Sequence, residues 1–185
     1  MSADPAPKRR KKRRKPLDSE QLEALALHYV GRYATSRSKL SRYLDRKIYE
    51  RGWEGECGPD VPGIVERFAK AGYVDDSAYA AMRARDLAAR GYGEGRLRQR
   101  LYADGIADDD SEEARAIAQA NRAEAAIAFA SRRRFGPFAV APLEDQKARE
   151  KALSAMIRAG HSFEISKRIL AMAPGDPISA ETLCE

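Results

Sequence analysis

Two histidines, two cysteines and several clusters of arginine and aspartate are the residues of this chain whose types could do chemistry. His28 sits between Leu27 and Tyr29 in a helical segment, with no ligand partner at a metal-binding spacing, and reads as helix surface or core edge. His161 follows Gly160 and reads as a half-exposed loop residue. Cys57 lies in a glycine-rich loop with no base beside it to activate a thiolate. With the distant Cys184 it makes neither a zinc set nor a disulfide framework. The stretch Gly91-Tyr92-Gly93-Glu94-Gly95 has the glycine density of a phosphate-cradling loop. It follows a helix rather than a strand and lacks the GxGxxG and GK[ST] spacings, so a helix cap with a tight turn is the better reading. Asp75-Asp76 and Asp108-Asp109 stand at helix starts, where capping accounts for them. The expectation is a protein that is not an enzyme, with no catalytic residue, metal or cofactor.

The arginines remain. Arg83, Arg85 and Arg90 share one predicted helix, Arg96, Arg98 and Arg100 surround Leu97 and Leu101 on the next, and Arg132, Arg133 and Arg134 end a third. Guanidinium forks suit phosphates and carboxylate-rich protein surfaces equally, and a solvated helix face uses the same residues. Because these side chains flank the apolar stripes that the helices must bury, their heads can reach a common solvent face. The expected partner-binding set is Arg83, Arg90, Arg96, Arg98 and Arg100, with Arg132, Arg133 and Arg134.

Charge needs splitting before it is used. Lys plus Arg is 34 and Asp plus Glu 28, a net of +6 over 185 residues. Eight of the bases, Lys8, Arg9, Arg10, Lys11, Lys12, Arg13, Arg14 and Lys15, are consecutive, and without them 26 bases face 28 acids. The basic character therefore belongs to the amino-terminal segment. Residues 1–16 are expected to form a disordered basic arm that attracts phosphates, with a merely solubilising terminus as the alternative. The arm lacks the apolar core of a secretion signal, and the longest purely apolar stretches are a few residues, against roughly 20 for a membrane span. A cytoplasmic protein with no membrane contact is the expectation.

The elements that position these residues read as helices almost throughout. Asp18 or Ser19 caps a helix carrying Leu22, Leu25, Ala26, Tyr29, Val30 and Tyr33; Ser36 caps a second with Leu40, Leu44 and Ile48 four apart; a third carries Ile64, Val65 and Phe68. The pattern restarts with Tyr79, Met82 and Leu87, then Leu97 and Leu101, then Ala114, Ile117 and Ala118 behind an acidic first turn. A third round has Ala125, Ile127, Ala128 and Phe129, a helix from Leu143 to Ala159 with Leu153, Met156 and Ile157 buried, and a short helix with Ile165, Ile169 and Leu170. Each second helix stops at a glycine, Gly52, Gly105 and Gly160, at intervals of 53 and 55 residues. The spacing predicts an all-α, elongated array of three tandem three-helix units, 17–73, 74–121 and 122–173, with a frayed tail over 174–185.

The middle of the chain resembles the RecX regulatory-protein family. The resemblance rests on Ala71-Gly72-Tyr73-Val74-Asp75-Asp76, then Tyr79, then Arg90-Gly91-Tyr92-Gly93, then Arg96 to Leu101 with Leu97 inside it, and Gly105-Ile106. Weaker flanks agree, from Ser36 to Leu44 and from Lys151 to Ile165, so the match spans roughly residues 22 to 171. It implies a structural signature in Gly72, Tyr73, Asp75, Asp76, Gly91, Tyr92, Leu97, Leu101 and Gly105. It also implies a monomer without cofactor that binds the RecA recombinase, chiefly as a filament on single-stranded DNA. There it would inhibit ATP hydrolysis, strand exchange and coprotease activity, and so modulate DNA repair and the SOS response. The alternative is a direct nucleic-acid binder using the basic arm and the arginine helices. Three departures stand out: His161 where the family commonly has an aromatic residue, the Gly-Pro and Cys57 in the loop over 52–60, and the density of the arm.

Overall fold

The computed structural model describes residues 15–142 and 145–184; Lys8 to Arg14 of the arm and the proposed helix start at Leu143 lie outside them. Ten α-helices follow one another: α1 (Ser19–Val30), α2 (Arg37–Arg51), α3 (Val61–Lys70), α4 (Asp76–Ala89), α5 (Glu94–Asp104), α6 (Glu112–Ala120), α7 (Arg122–Arg133), α8 (Gln146–Arg158), α9 (Phe163–Ala171) and α10 (Ala180–Cys184). Apart from one isolated parallel bridge between Leu17 and Trp53, no strand pairing occurs among the described residues.

Local chemistry sets the helix ends. Asp18 accepts from the Gln21 N–H at 2.8 Å, Ser36 from Lys39 at 3.2 Å, Asp60 from Gly63 at 2.9 Å, Asp75 from Ala78 at 2.8 Å and Ser162 from Ile165 at 3.2 Å. Each satisfies a backbone donor that the first turn leaves without a partner. Five of the stops are Schellman motifs: Tyr73 N–H donates to Phe68 C=O, Tyr92 to Leu87, Ile106 to Leu101, Phe135 to Ala130 and His161 to Met156.

Three cores sit along the chain and share no residue. Leu17, Leu22, Leu40, Leu44, Ile64 and Phe68 fill the first; Ala80, Ala84, Leu97, Leu101, Ala114 and Ala118 the second; Ala126, Ala130, Met156, Ile165 and Ile169 the third. The alanines of α4 and α6 let those two helices approach closely. Each fully buried leucine contributes roughly 1.5–3 kcal/mol. The result is an elongated all-α array of helical groupings.

Hydrogen bonds join the groupings end to end. At the first seam Ser36 Oγ donates to the Asp104 carbonyl at 2.7 Å, and the Arg37 N–H donates to Asp76 Oδ1 at 2.9 Å. Burial pushes the Asp76 carboxyl above its ordinary range, while the Arg37 N–H opposes that rise. At the second seam Gly93 N–H donates to Ala159 C=O at 2.9 Å and Gly95 N–H to Gly160 C=O at 3.0 Å. The main chains touch there: a Cβ on Gly93 would lie 2.3 Å from the Gly160 carbonyl oxygen.

Several expectations need correction. The tail over 174–185 is not simply frayed, because α10 seats Leu183 in the third core and Gly175 N–H donates to Pro137 C=O at 2.9 Å. The arm does not run to residue 16: Arg51 Nε donates to the Lys15 carbonyl at 2.8 Å, and Leu17 is fully buried. Helix α8 starts at Gln146 with Asp145 as its cap, and Ile157 is 42% exposed because it faces away from the third core. Tyr33 and Met82 also point outward, and Tyr33 lies beyond the end of α1. His161 is no half-exposed loop residue but only 6% exposed, wedged into the second seam.

Candidate functional site

The arginines of the middle grouping converge because α4 and α5 pack side by side after the reversal at 91–93. The Schellman stop at Gly91 turns the chain, and Gly93, held against the third grouping, starts α5. Arg83 on α4 and Arg90 at its C-cap then face Arg96 and Arg100 on α5 across one groove, which Asp86, Tyr92 and Gln99 also line.

Two of its arginines, Arg83 and Arg100, reach back to a polar cluster around Asp104, which is 5% exposed and lies behind the groove. Tyr79 donates its hydroxyl proton to Asp104 Oδ2 at 2.8 Å and accepts from Lys39 Nζ at 2.9 Å and Arg83 Nε at 3.0 Å. One phenol oxygen thus donates once and accepts twice, its full capacity. Arg100 Nε donates to the same carboxylate oxygen at 3.0 Å, and Lys39 Nζ lies 3.8 Å from the other. On the rim, Arg90 pairs with Asp86 at 3.0 Å, and Arg96 rests at 3.5 Å from Gln99.

Three of the four guanidinium groups thus pair with Asp86 or Asp104 while Arg96 rests on Gln99, and the groove, lined by the single carboxylate Asp86, keeps a positive balance. The roles separate by partner rather than by exposure, since only Arg83 is half-buried and Arg100 is exposed, as the rim arginines are. Arg83 and Arg100 are committed to Asp104 and hold α4, α5 and the first seam together. Arg90 and Arg96 are exposed, with heads that can engage an incoming carboxylate or phosphate.

The other expected arginines are placed elsewhere. Arg98 points away from this groove, into a cleft at the second seam with Gln119, Arg122 and Ile157. Arg132 donates to the Arg90 carbonyl and so reaches the rim through the backbone. Arg133 lies over the Phe135 ring at 5.9 Å, and Arg134 takes a left-handed conformation (φ 55°) at the end of α7; neither lines the groove. Of the signature residues, Leu97 and Leu101 are core, Asp75 is a cap and Asp76 a seam contact, while Tyr73 is 57% exposed and Tyr92 half-buried.

Sequence reasoning missed the polar cluster that Tyr79 and Asp104 form behind the groove. Tyr79 reads as a helical apolar position and a link in the family motif, and Asp104 as an ordinary residue before a glycine stop. It also missed what His161 does: its Nε2 lies 3.2 Å from the Gly91 carbonyl and its ring packs on Phe129 at 5.4 Å. Burial lowers its pKa from the usual 6.5, and the contact with Gly91 only partly offsets this. Among the described residues no group of three or more His, Cys, Asp and Glu side chains could hold a metal ion, and no helix is long and apolar enough to cross a membrane.

Residues 75–114, the segment that builds the groove, match the family model described as RecX, second three-helix domain. The chain is 32% identical over 170 residues to a regulatory protein RecX of Myxococcus xanthus, covering 88% of this chain and 91% of that one. It is 38% identical over 100 residues to a regulatory protein RecX of Agrobacterium fabrum, covering 54% of this chain and 52% of the relative. A crystal structure of RecX from Lactobacillus salivarius shares the fold at a TM-score of 0.58, with 16% identity over 82% of this chain and 93% of that one. Another crystal structure of regulatory protein RecX superposes with the same TM-score of 0.58, at 19% identity over 82% of this chain and 70% of that one. Identity at nearly a third of the aligned positions, across nearly the whole length of both chains, places this protein in the RecX family of regulatory proteins.

Proposed function

We propose that this chain acts as a monomer in the cytoplasm, binds the RecA recombinase chiefly as its filament on single-stranded DNA, and inhibits ATP hydrolysis, strand exchange and coprotease activity. DNA repair and the SOS response are modulated in consequence. The observation that supports this reading best is the α4–α5 groove. It lies within the segment matching the RecX second three-helix domain, and four guanidinium groups line it against one carboxylate, Asp86, two of them also bracing Asp104 behind it. An acidic surface of the recombinase, or the phosphates of the strand it carries, would meet Arg90 and Arg96 first. Arg98, Arg132, Arg133 and Arg134 would contact other parts of a long partner, as an extended array of units at 17–73, 74–121 and 122–173 permits. The basic arm, Lys8 to Lys15, would add phosphate contacts.

The test is a titration of the protein into RecA from the same host turning over ATP on single-stranded DNA. Suppression of hydrolysis is expected. No effect at saturating protein would refute the reading and leave direct nucleic-acid binding as the better account.

A further inference from the structure

We propose that the first helical grouping carries a binding groove for single-stranded nucleic acid, built from a tyrosine stack bordered by basic side chains, and independent of the recombinase reading. The groove runs between α1 and α2 and has a volume of about 710 Å³. Tyr29 and Tyr43 stack nearly parallel, 4.1 Å apart at 12°, and Tyr33 tilts against Tyr29 at 5.4 Å. The Tyr33 ring is 55% exposed, so one aromatic face stands open beside a stack already formed.

The walls supply charge. Lys39, Arg46, Lys47 and Arg51 line the groove together with Arg83, and no carboxylate lines it. Glu50 offsets part of this by pairing with Lys47 at 2.6 Å and Arg46 at 3.7 Å, and Asp104 offsets Lys39 at 3.8 Å. Asp86 lies 4.0 Å from Arg83, and five cations against these three carboxylates leave a positive trough. Arg46 and Lys47 also sit 5.7 Å from the Tyr43 ring centre, a cation–aromatic arrangement that keeps basic heads beside the stack.

A backbone contact ties residue 15 to the groove's edge. Arg51 lines the groove and donates to the Lys15 carbonyl at 2.8 Å. Lys15 is the last of eight consecutive bases in the sequence. An open aromatic face with flanking cations is the pattern that takes up an unstacked base and its phosphates; a duplex hides its base faces and offers phosphate alone. An acidic peptide would use the cations and leave the ring idle.

The experiment measures binding of the full chain, without recombinase, to a labelled fifteen-nucleotide oligothymidylate, a fifteen-base-pair duplex and a polyglutamate competitor. The single strand is expected to bind more tightly than the duplex at equal salt, and polyglutamate to compete poorly. Tyr33→Ala, at an exposed position, should weaken oligothymidylate binding by at least about fivefold. Its salt dependence should stay unchanged, because a ring releases no counterions. Tyr33→Phe should bind as the parent does. Arg46→Gln should reduce the salt slope by about one. Equal binding by Tyr33→Ala, equal affinity for the duplex, or competition by polyglutamate as effective as by unlabelled oligothymidylate would each overturn the proposal. None of these results depends on whether the protein inhibits RecA.

Discussion

Three glycine-to-alanine substitutions separate backbone strain from steric contact at the second seam. Gly72 has φ +77° and open space where its Cβ would sit, so Gly72→Ala meets conformational strain alone. Gly93 has an ordinary φ of −84°, but its new Cβ would fall 2.3 Å from the Gly160 carbonyl oxygen, so Gly93→Ala meets contact alone. Gly160 has φ +94°, and its Cβ would fall 2.2 Å from the Arg96 nitrogen and 2.7 Å from the Gly93 oxygen, all backbone that cannot rotate aside. Left-handed strain costs roughly 1–2 kcal/mol. Relieving the contact requires α5 to retreat, which breaks the bonds Gly93–Ala159 and Gly95–Gly160, at roughly 0.5–1.5 kcal/mol each. Gly72→Ala should therefore lose about 1–2 kcal/mol, Gly93→Ala about 1–3, and Gly160→Ala about 2–5, the sum of both effects. Urea unfolding followed by circular dichroism at equal slope gives all three. The fluorescence of Trp53, in the first grouping, should shift less than the dichroism for the two seam variants. Gly160→Ala no worse than Gly72→Ala, or Gly93→Ala within about 0.5 kcal/mol of the parent, would refute the seam as described.

Further outcomes follow from burial. Tyr73→Ala should cost under about 1 kcal/mol, since the ring is exposed and only edges the Phe68 ring at 5.5 Å; a loss of 2–4 kcal/mol in urea unfolding would mean the ring is buried. Asp104→Asn should cost about 2–4 kcal/mol by the same assay, because Lys39, Arg83 and Arg100 lose their shared counter-charge; a loss near zero would remove Asp104 as the organising group. His161 resists protonation when folded, so the unfolded chain binds the extra proton: its contribution to stability should be complete above about pH 6.5 and decline as the pH falls below that value. His161→Phe should flatten that part of the pH–stability profile, and an unchanged slope between about pH 5 and 6.5 would contradict the burial argument.

Short-range chemistry was legible in the sequence, and contacts between units were not. Caps such as Asp18, Ser36 and Asp75 and stops such as Gly105 and Gly160 depend on neighbours within a turn or two, so spacing alone locates them. The glycine-rich stretch at 91–95 was readable as a cap and turn, but not as the strip of main chain on which Gly160 rests. His161 looked like a loop residue because its environment comes from Gly91 and Phe129, 70 and 32 positions away. Ile157, Met82 and Tyr33 carried helical spacing without being core, since periodicity marks an apolar stripe wider than the partner that covers it. The tail was misread because five residues of α10 are too few to show a period, although Leu183 belongs to the third core. The arginines are legible by type, yet only the packing of α4 on α5 distinguishes Arg83 and Arg100, which brace Asp104, from Arg90 and Arg96 on the rim.

That distinction defines the most direct test of the partner-binding groove. Arg90→Gln/Arg96→Gln removes two exposed guanidinium groups while leaving the Asp104 cluster intact, and Arg98→Gln changes a like residue outside the groove. Each folded variant is titrated against RecA hydrolysing ATP on single-stranded DNA, with the parent protein alongside. The double variant should require at least about tenfold more protein for half-inhibition, a loss of roughly 1.4 kcal/mol, with Arg98→Gln closer to the parent. Half-inhibition by the double variant at the parent's concentration would contradict the assignment of this groove as the surface that meets the recombinase.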